Sequence, residues 1–534
     1  MNTPEYPWGE VALQSLLPRP DQVSLPALRA RSVLALLLLP WLAACGGGVS
    51  APATAPQAAA GGRPISVTPH EQWADAILYF VVLDRFADGD SGNNQGVQRN
   101  AKGTFHGGDL AGLRQQLDEI AGLGATAIWI TPVVDNMDGF VTGAGFPDWA
   151  YHGYWADDFT RLDPRFGTED ELKALVDDAH ARGMKVLLDV VYNHAGYESR
   201  YLQDPKTRPW LRIESQGTCG KDDLTQCVAG LPDFKTEDPT AAEYLLNAHW
   251  PLAERVGLDG FRLDTVKHVS HDFWKEHRRR VDERLGEDFF LIGEVWGGDA
   301  KSLDPWFEGD EMDAGFDFSF QGNVLSFLQG RGRTVAFDRY LQSREKVRPG
   351  YLLSPYLSSH DVQGALSLLA GDKQLFRLAA LLQLTAPGVP MVYYGEEVGR
   401  PGGDWPDNRS DMPWGDRRIQ PGAGQPRDEA LRADYKKLIA IRRAHKALSR
   451  GTHQSLSSEG DLLVFARKDA ASGDAVVIAV NRGAQPVAAS FEAPAEWGDA
   501  PVRDLWNGAD VPRAGGKIEA QVAPRGAAIF AAGR

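Results

Sequence analysis

Carboxylates and histidines are concentrated in four short segments of the sequence, each directly after a run of apolar residues. The segments cover residues 189–194, 260–268, 293–296 and 359–361. They contain three acids that could act together, Asp264, Glu294 and Asp361. A carboxyl group close to other carboxylates has a raised pKa, so one acid of such a set can remain a proton donor near neutral pH. The segments therefore predict acid/base and nucleophilic catalysis by carboxyl groups.

These segments have to be positioned by strands, and the sequence predicts eight of them. From about residue 75 onward, short β-branched runs alternate with amphipathic stretches such as 110–121, 170–181 and 374–385. The predicted strands cover residues 77–84, 126–131, 185–191, 258–263, 289–293, 314–318, 351–357 and 389–393. Eight such units predict an α/β fold, a closed (β/α)8 TIM barrel, whose site lies at the C-terminal ends of the strands. An open doubly wound sheet is the alternative, but no glycine-rich phosphate turn follows the first predicted strand.

Two further units are predicted beside the barrel. The connection after the third strand is far longer than an ordinary βα crossover, which predicts a small inserted subdomain B over 195–257. After a last helix around 435–447, short strands are predicted at 462–467, 475–481 and 526–531, typical of an antiparallel β-sandwich. The predicted domains are a barrel over 71–194 and 258–447 and a C-terminal sandwich over 448–534.

In this order the four segments resemble the conserved segments of the α-amylase family of glycoside hydrolases. The flanking segments 231–233 and 388–396 fit the same pattern, and the resemblance covers about residues 75–534. It implies Asp264 as nucleophile, Glu294 as acid/base, and Asp361 as the residue that braces the distorted sugar and helps to hold the acid protonated. Cleavage of a glycosidic bond with retention requires the first two carboxyl groups to lie about 5–5.5 Å apart. The tips of adjacent strands can provide that distance.

The resemblance also implies which residues support the reacting sugar. Arg262, two residues before Asp264 on the same strand face, would keep the nucleophile ionised. His194 and His360 match positions that hydrogen-bond sugar hydroxyls at the reacting subsite. Ser359 stands where the family usually has an asparagine, a difference that affects fine geometry rather than the reaction.

Aromatic and basic residues complete the implied substrate site. Tyr154 would stack on the apolar face of the reacting glucose, and His152 would contact the same sugar. Trp155 is expected to pack in the core. Lys267 and His268 resemble residues that reach the acceptor side of the cleavage point.

Two structural calcium sites are expected. The first is a run of hard oxygen donors after the first strand, without the spacing of an EF-hand. It resembles the first calcium loop of cyclodextrin glucanotransferases, and its candidate ligands are Asp88, Asp90, Asn93, Asn94, Gly107 and Asp109. A turn without metal is the alternative for this composition. The resemblance implies a second site that joins Asn193, Asp233 and the His268 carbonyl and would clamp the inserted subdomain to the barrel.

The composition and charge indicate a globular protein that does not bind nucleic acid. Hydrophobic residues make up 43% of the chain and charged residues 24%, far from the composition of disorder. The net charge of −16 would repel a phosphate backbone. The expected partner is an α-glucan polysaccharide or oligosaccharide, and a monomer is expected.

The N-terminus resembles an export signal with a lipobox. A basic flank and an apolar stretch precede Leu42-Ala43-Ala44-Cys45, which predicts a signal over 1–45 with lipidation at Cys45. An ordinary secretory signal is the alternative. Residues 46–70 are predicted to form a flexible tether, and an extracytoplasmic location is expected, with membrane contact only through the lipid. The apolar run at 33–44 is too short to span a bilayer.

Two cysteines within a polar stretch, Cys219 and Cys227, could close a small disulfide loop in an exported chain. Metal binding by these two thiols is the weaker alternative because no histidine lies near them.

The leading functional hypothesis is endo-hydrolysis of α-1,4-glucosidic bonds in starch and maltodextrins. One alternative is a transglycosylase of the cyclodextrin glucanotransferase type, but its pattern has an aromatic residue where this chain has Ala229, four residues before Asp233. Another alternative is a cyclomaltodextrinase or neopullulanase. Such enzymes often carry an N-terminal domain for dimerisation, and the tether predicted over 46–70 is too short to form one. A binding protein without catalysis is disfavoured because Asp264, Glu294 and Asp361 are all present.

Overall fold

The computed structural model describes residues 73–142 and 145–533. Its centre is a parallel sheet in which strands adjacent along the chain are neighbours and the first strand also pairs with the last. The strands are β1 Leu78–Val81, β2 Ala127–Ile130, β3 Lys185–Val190, β4 Gly260–Leu263, β5 Phe290–Gly293, β6 Ala314–Asp317, β7 Leu352–Pro355 and β8 Met391–Tyr393. A bridge between Tyr356, directly after β7, and Met391 closes the barrel. The predicted (β/α)8 fold is therefore confirmed.

The barrel strands are buried along nearly their whole length because helices cover the outside and side chains fill the inside. Near the carboxyl ends, Phe80 of β1 stacks on Trp129 of β2 with ring centroids 3.5 Å apart. The Phe80 ring also lies edge-on to His360, with centroids 5.0 Å apart. This aromatic layer forms the floor on which the site is built.

Helices follow the strands in the order expected of a (β/α)8 barrel. They are Leu110–Gln115, Leu117–Leu123, Glu169–Ala181, Pro239–Leu246, Trp250–Val256, His271–Leu285, Asp304–Glu308, Ser319–Leu328, Thr334–Ser343, Ala365–Leu368, Lys373–Leu384, Glu429–Ala444 and Lys446–Arg450. The predicted helix 110–121 is interrupted at Gln116. Thr168 and Glu171 form a reciprocal capping box that fixes the start of the helix after β2.

The connection after β2 contains short strands that the sequence analysis did not predict. Val134–Asn136 pairs with Ala156–Leu162, and Phe140–Val141 pairs with Asp148–Trp149. The second pair carries side chains to the mouth of the barrel, where they line the site described below.

The connection after β3 contains the inserted subdomain. Within it are a short helix, Arg200–Gln203, and an antiparallel pair of strands, Leu211–Arg212 and Asp233–Phe234. Cys219 and Cys227 form the predicted disulfide, with Cα atoms 5.5 Å apart.

The second half of this connection returns to the barrel. Helix Pro239–Leu246 packs against His271–Leu285, and Trp250–Val256 packs against both His271–Leu285 and Glu169–Ala181. These two helices belong to the outer layer of the barrel, so the part that stands over the site is shorter than the expected 195–257.

The C-terminal part forms the predicted β-sandwich. Its strands are β9 Thr452–Glu459, β10 Leu462–Asp469, β11 Asp474–Asn481, β12 Val487–Glu492, β13 Val502–Asp504, β14 Ala509–Val511, β15 Arg513–Ala514, β16 Lys517–Val522 and β17 Gly526–Ala532. One sheet has the order β9-β10-β11-β17-β13-β14 and the other the order β12-β16-β15. Val477 and Phe530 from the first sheet pack with Phe491 and Ile518 from the second.

Among the described residues, no helix is both long enough and apolar enough to span a membrane. The expected signal over 1–45, the lipidation at Cys45 and the tether over 46–70 lie outside the described residues.

Candidate active site

Arg262 is the centre of a cluster of carboxyl groups at the ends of β3, β4 and β5. Its guanidinium donates to Asp264 at 2.5 Å and to Asp189 at 3.0 Å, and it lies 3.0 Å from Glu294. Arg262 and Asp189 are register partners on adjacent strands, and only 2% of the Arg262 side chain is exposed. Because one buried guanidinium holds three carboxyl groups, Asp264 and Glu294 lie close together at the ends of the adjacent strands β4 and β5.

Thr265 ties the same two acids together from the other side. Its backbone N–H donates to Glu294 at 3.0 Å, and its hydroxyl donates to Asp264 at 3.1 Å. The residue has a φ of 49°, in the left-handed region that β-branched side chains avoid. Such backbone strain is typical of functional sites, where the surrounding structure holds it in place.

Burial sets the protonation of the acids in this cluster. It raises the pKa of Glu294 to about 8, opposed by Arg262 and assisted by the negative charges of Asp264 and Asp361. Burial also raises the pKa of Asp189 to about 7. Glu294 is therefore a proton donor at neutral pH, as its implied role requires.

The structure brings the predicted aromatic and histidine residues to this cluster. Tyr154 donates its hydroxyl to Asp189 at 2.6 Å, and its ring stacks on His360 with centroids 5.2 Å apart. Burial lowers the pKa of His152, His194 and His360, which keeps all three imidazoles neutral. Neutral imidazoles can both donate to and accept from sugar hydroxyls.

Asp361 reaches the site from the segment after β7. Its carboxylate lies 3.1 Å from His360 and 3.2 Å from Arg409, and its backbone N–H donates to the hydroxyl of Ser359. Arg409 also donates to the His360 carbonyl. The sequence analysis missed Arg409, which comes from the long connection after β8.

A cavity of about 910 Å³ opens above the acids. It is lined by the predicted residues His152, Tyr154, His194, Asp264, Lys267, His268, Glu294, His360 and Asp361. Further lining residues, not predicted from the sequence, include Val141, Asp148, Tyr197, Trp296, Trp405 and Arg409. Trp155 was expected in the core; it is 9% exposed and lines the cavity as well.

Lys267 and His268 lie on the side of the cavity formed by the inserted subdomain. Lys267 is 3.6 Å from the carboxylate of Asp223, and the His268 ring donates to the carbonyl of the same residue. Gln226 lies 3.3 Å from the His268 ring. The disulfide loop thus meets the end of β4 at these residues.

The residues of the first expected calcium loop converge around Asp109. Its carboxylate accepts from the backbone N–H groups of Gly89 and Asp90 and from the Asn93 amide. The side-chain oxygens of Asn93 and Asn94 are buried and have no hydrogen-bond partner among the described residues. Such orphaned acceptors fit the oxygen ligands that calcium prefers.

The residues of the second expected calcium site also meet. The Asn193 amide lies 3.1 Å from both Asp233 Oδ1 and the His268 carbonyl. If the amide nitrogen faces Asp233 and the His268 carbonyl, it donates a hydrogen bond to each of them. If the amide oxygen faces them, three oxygens converge, with the amide oxygen 3.1 Å from each of the other two. This spacing is similar to that between neighbouring oxygen ligands of a calcium ion, whose bonds are 2.3–2.6 Å long.

Comparisons with known proteins agree with this geometry. A family model described as "Alpha amylase, catalytic domain" matches residues 80–216 and 214–416, and one described as "Alpha galactosidase C-terminal beta sandwich domain" matches 459–532. A cyclomaltodextrinase from Bacillus sp is 33% identical over 446 residues, covering 78% of this chain and 75% of the relative. Neopullulanase 2 from Thermoactinomyces vulgaris is 32% identical over 422 residues, covering 74% and 68%.

A solved structure with the same fold is the α-amylase from Geobacillus thermoleovorans in complex with acarbose. It superposes with a TM-score of 0.72 at 30% identity and covers 86% of this chain and 99% of its own. Together with the acids at the ends of β4 and β5, these similarities show that the chain belongs to the α-amylase family of glycoside hydrolases.

Proposed function

We propose that this glycoside hydrolase cleaves α-1,4-glucosidic bonds in cyclodextrins and short maltodextrins, with retention of the anomeric configuration. The observation that carries the reaction is the pair Asp264 and Glu294, both held by Arg262 and Thr265. The preference for small glucans is supported by the cyclomaltodextrinase and neopullulanase relatives. Hydrolysis of these small glucans therefore replaces endo-hydrolysis of starch as the leading hypothesis.

The residues divide the reaction into two steps. Asp264 attacks the anomeric carbon while Glu294 gives its proton to the glycosidic oxygen, so the leaving sugar departs as an alcohol and a glycosyl ester remains. Glu294, now a carboxylate, takes a proton from a water molecule while the water oxygen attacks the anomeric carbon. This attack breaks the ester bond and frees Asp264. Asp361, oriented by Arg409 and Ser359, braces the distorted sugar ring.

Endo-hydrolysis of starch is the second candidate. The similarity to the α-amylase from Geobacillus thermoleovorans, at 30% identity and a TM-score of 0.72, supports this candidate.

The test compares initial rates and products on starch, β-cyclodextrin, pullulan and maltotriose. We expect kcat/KM for β-cyclodextrin to exceed that for starch, and NMR to show newly released reducing ends in the α form. A higher kcat/KM for starch would favour the second candidate, and cyclodextrins formed from starch would favour a transferase. New ends in the β form would contradict retention.

The nucleophile is tested by Asp264→Asn, which preserves shape and removes the charge. We expect loss of turnover on all four substrates with an unchanged melting temperature and retained glucan binding. Near-normal turnover by this variant would contradict the assignment of Asp264.

We further propose two structural calcium ions. The first would bind the oxygens of Asp88, Asp90, Asn93, Asn94 and Asp109 with the Gly107 carbonyl, and the second Asn193, Asp233 and the His268 carbonyl. The buried unpartnered oxygens of Asn93 and Asn94 support the first site. The ions would fix the loop after β1 and the inserted subdomain and supply no chemistry to the bond cleavage.

We also propose an extracytoplasmic location with lipidation at Cys45. The proposal rests on the sequence alone, namely the basic flank, the apolar stretch and the small residues before the cysteine.

A further inference from the structure

An aromatic pair stands at one end of the catalytic cavity, and the mechanism above does not use it. Trp405 lines the cavity and is 39% exposed, and its ring stacks on Phe146 with centroids 5.3 Å apart and planes 27° apart. Phe146 in turn packs against Gly103, where an added Cβ would come within 2.7 Å of the ring. Phe146 thus supports one face of the tryptophan, while part of the Trp405 side chain remains open to solvent.

A buried acceptor lies at the same end. Asp148 lines the cavity and is only 6% exposed, and its Oδ1 makes no hydrogen bond within the part of the chain that the structure describes. Burial raises the pKa of Asp148 to about 6, opposed by Arg409 and Arg85. A buried carboxyl oxygen without a donor is costly unless a ligand supplies one.

The barrel topology fixes which end of the substrate this is. Trp405 belongs to the connection after β8, and Phe146 and Asp148 to the connection after β2; β8, β1 and β2 are consecutive in the sheet. Glu294 and the exposed Trp296 follow β5, on the opposite side of the mouth. Since the acid protonates the leaving group, the leaving sugar lies towards Trp296 and the non-reducing part lies towards Trp405.

We propose that Trp405 and Asp148 form a sugar-binding subsite for the non-reducing part of the glucan. The indole stacks on the apolar face of a glucose unit, and the Asp148 carboxyl accepts from its hydroxyls. Arg409, four residues after Trp405, links this subsite to Asp361. The inference rests on the proposed function and adds which residues set the preferred chain length.

The test measures kcat/KM for maltotriose through maltoheptaose. For Trp405→Ala we expect roughly a tenfold loss on maltohexaose, the size of one stacking contact, and about twofold or less on maltotriose. Trp405→Phe keeps an aromatic face and should recover most of the loss. Asp148→Ala, which keeps the aromatic ring, should show the same dependence of the loss in kcat/KM on chain length. Equal losses on short and long substrates, or no loss with either alanine variant, would overturn the subsite.

The direction of the effect is read from maltohexaose labelled at its reducing end. Trp405→Ala should shift cleavage towards the non-reducing end and lengthen the labelled products, whereas Trp296→Ala on the opposite side should shorten them. Labelled products that are unchanged in Trp405→Ala would contradict the placement. If the wild type cleaves none of these glucans, the proposed function fails, and calorimetric titration of Asp264→Asn and Asp264→Asn/Trp405→Ala with maltohexaose still tests the subsite. Equal dissociation constants for those two proteins would overturn it.

Discussion

At the scale of single residues, the neighbours of each carboxyl group distinguish two acids that are buried to a similar extent. Glu294 is 7% exposed and sits beside two other carboxylates, so the pKa of its carboxyl rises to about 8. Asp264 is 5% exposed but accepts a hydrogen bond from Arg262 at 2.5 Å and another from the Thr265 hydroxyl. Near neutral pH, Glu294 can therefore serve as the proton donor while the guanidinium and the hydroxyl hold the Asp264 carboxyl in place.

The raised pKa predicts the alkaline side of the activity profile. Glu294 must be protonated to act, so kcat/KM should fall as the pH rises through about 8 because the donor loses its proton. In Glu294→Gln we expect turnover of maltodextrins to fall by about 10²–10⁴-fold and this alkaline limb to disappear.

The control for this variant is α-maltosyl fluoride, whose leaving group needs no proton. Glu294→Gln should still be glycosylated by the fluoride, whereas Asp264→Asn should not. If Glu294→Gln slowed the glycosylation step equally with both substrates, the assignment of Glu294 as the proton donor would be wrong.

At the scale of elements, the site depends on connections as much as on strands. β3, β4 and β5 place Asp189, Arg262 and Glu294, but the cavity walls come from the connections after β2, β3 and β8. The disulfide closes the loop 219–227, whose residues Gln226 and Cys227 line the cavity. Just beyond the loop, the Ala229 carbonyl accepts a hydrogen bond from the Tyr197 hydroxyl. Constraint of this loop pre-organises the wall, which lowers the cost of ordering it when substrate binds.

The disulfide prediction concerns substrate binding. Replacing both cysteines in Cys219→Ser/Cys227→Ser should raise KM with little change in kcat, because the loop lines the cavity but does not carry a reacting group. Without the disulfide the unfolded chain gains conformational entropy. For a loop this short, we expect the free energy of unfolding to fall by on the order of 2 kcal/mol.

Steady-state kinetics with β-cyclodextrin checks this expectation. A reductant should raise the KM of the wild type to that of the double variant. It should leave the KM of the double variant unchanged. A KM that is the same with and without the bond would exclude a role for the disulfide in shaping the cavity.

At the scale of the whole molecule, the barrel and the sandwich share a buried polar joint. On the barrel side, Arg442 donates to the carbonyls of Leu384, Ala386, Leu448 and Gly388, which ties the helix after β8 to the turn before that strand. Between the two parts, Asp338 of the barrel helix Thr334–Ser343 accepts from His453 of β9 at 2.7 Å. The two parts therefore support each other through hydrogen bonds as well as apolar packing.

The proposed calcium ions belong to this scale because they would join separate segments. A chelator should lower the melting temperature, and restored calcium should reverse the change; a ligand at 100 times its Kd contributes about 2.7 kcal/mol. Asp90→Asn should weaken the response of the first site and Asp233→Asn that of the second, as followed by calorimetry with added calcium. A melting temperature that is insensitive to calcium in the wild type would contradict both sites.

The sequence by itself predicted the eight barrel strands, the β-sandwich and the acids Asp264, Glu294 and Asp361. The elements follow from local periodicity, and the acids lie close to strand ends, where a parallel barrel brings all carboxyl ends to one face. For Cys219 and Cys227 the sequence left a disulfide and metal binding as alternatives, and the structure joins the two sulfurs. Only the tertiary structure decided that Arg409, Asp148 and Trp405 line the same cavity. These residues lie in long connections whose paths depend on packing between distant segments, and no local pattern encodes that packing.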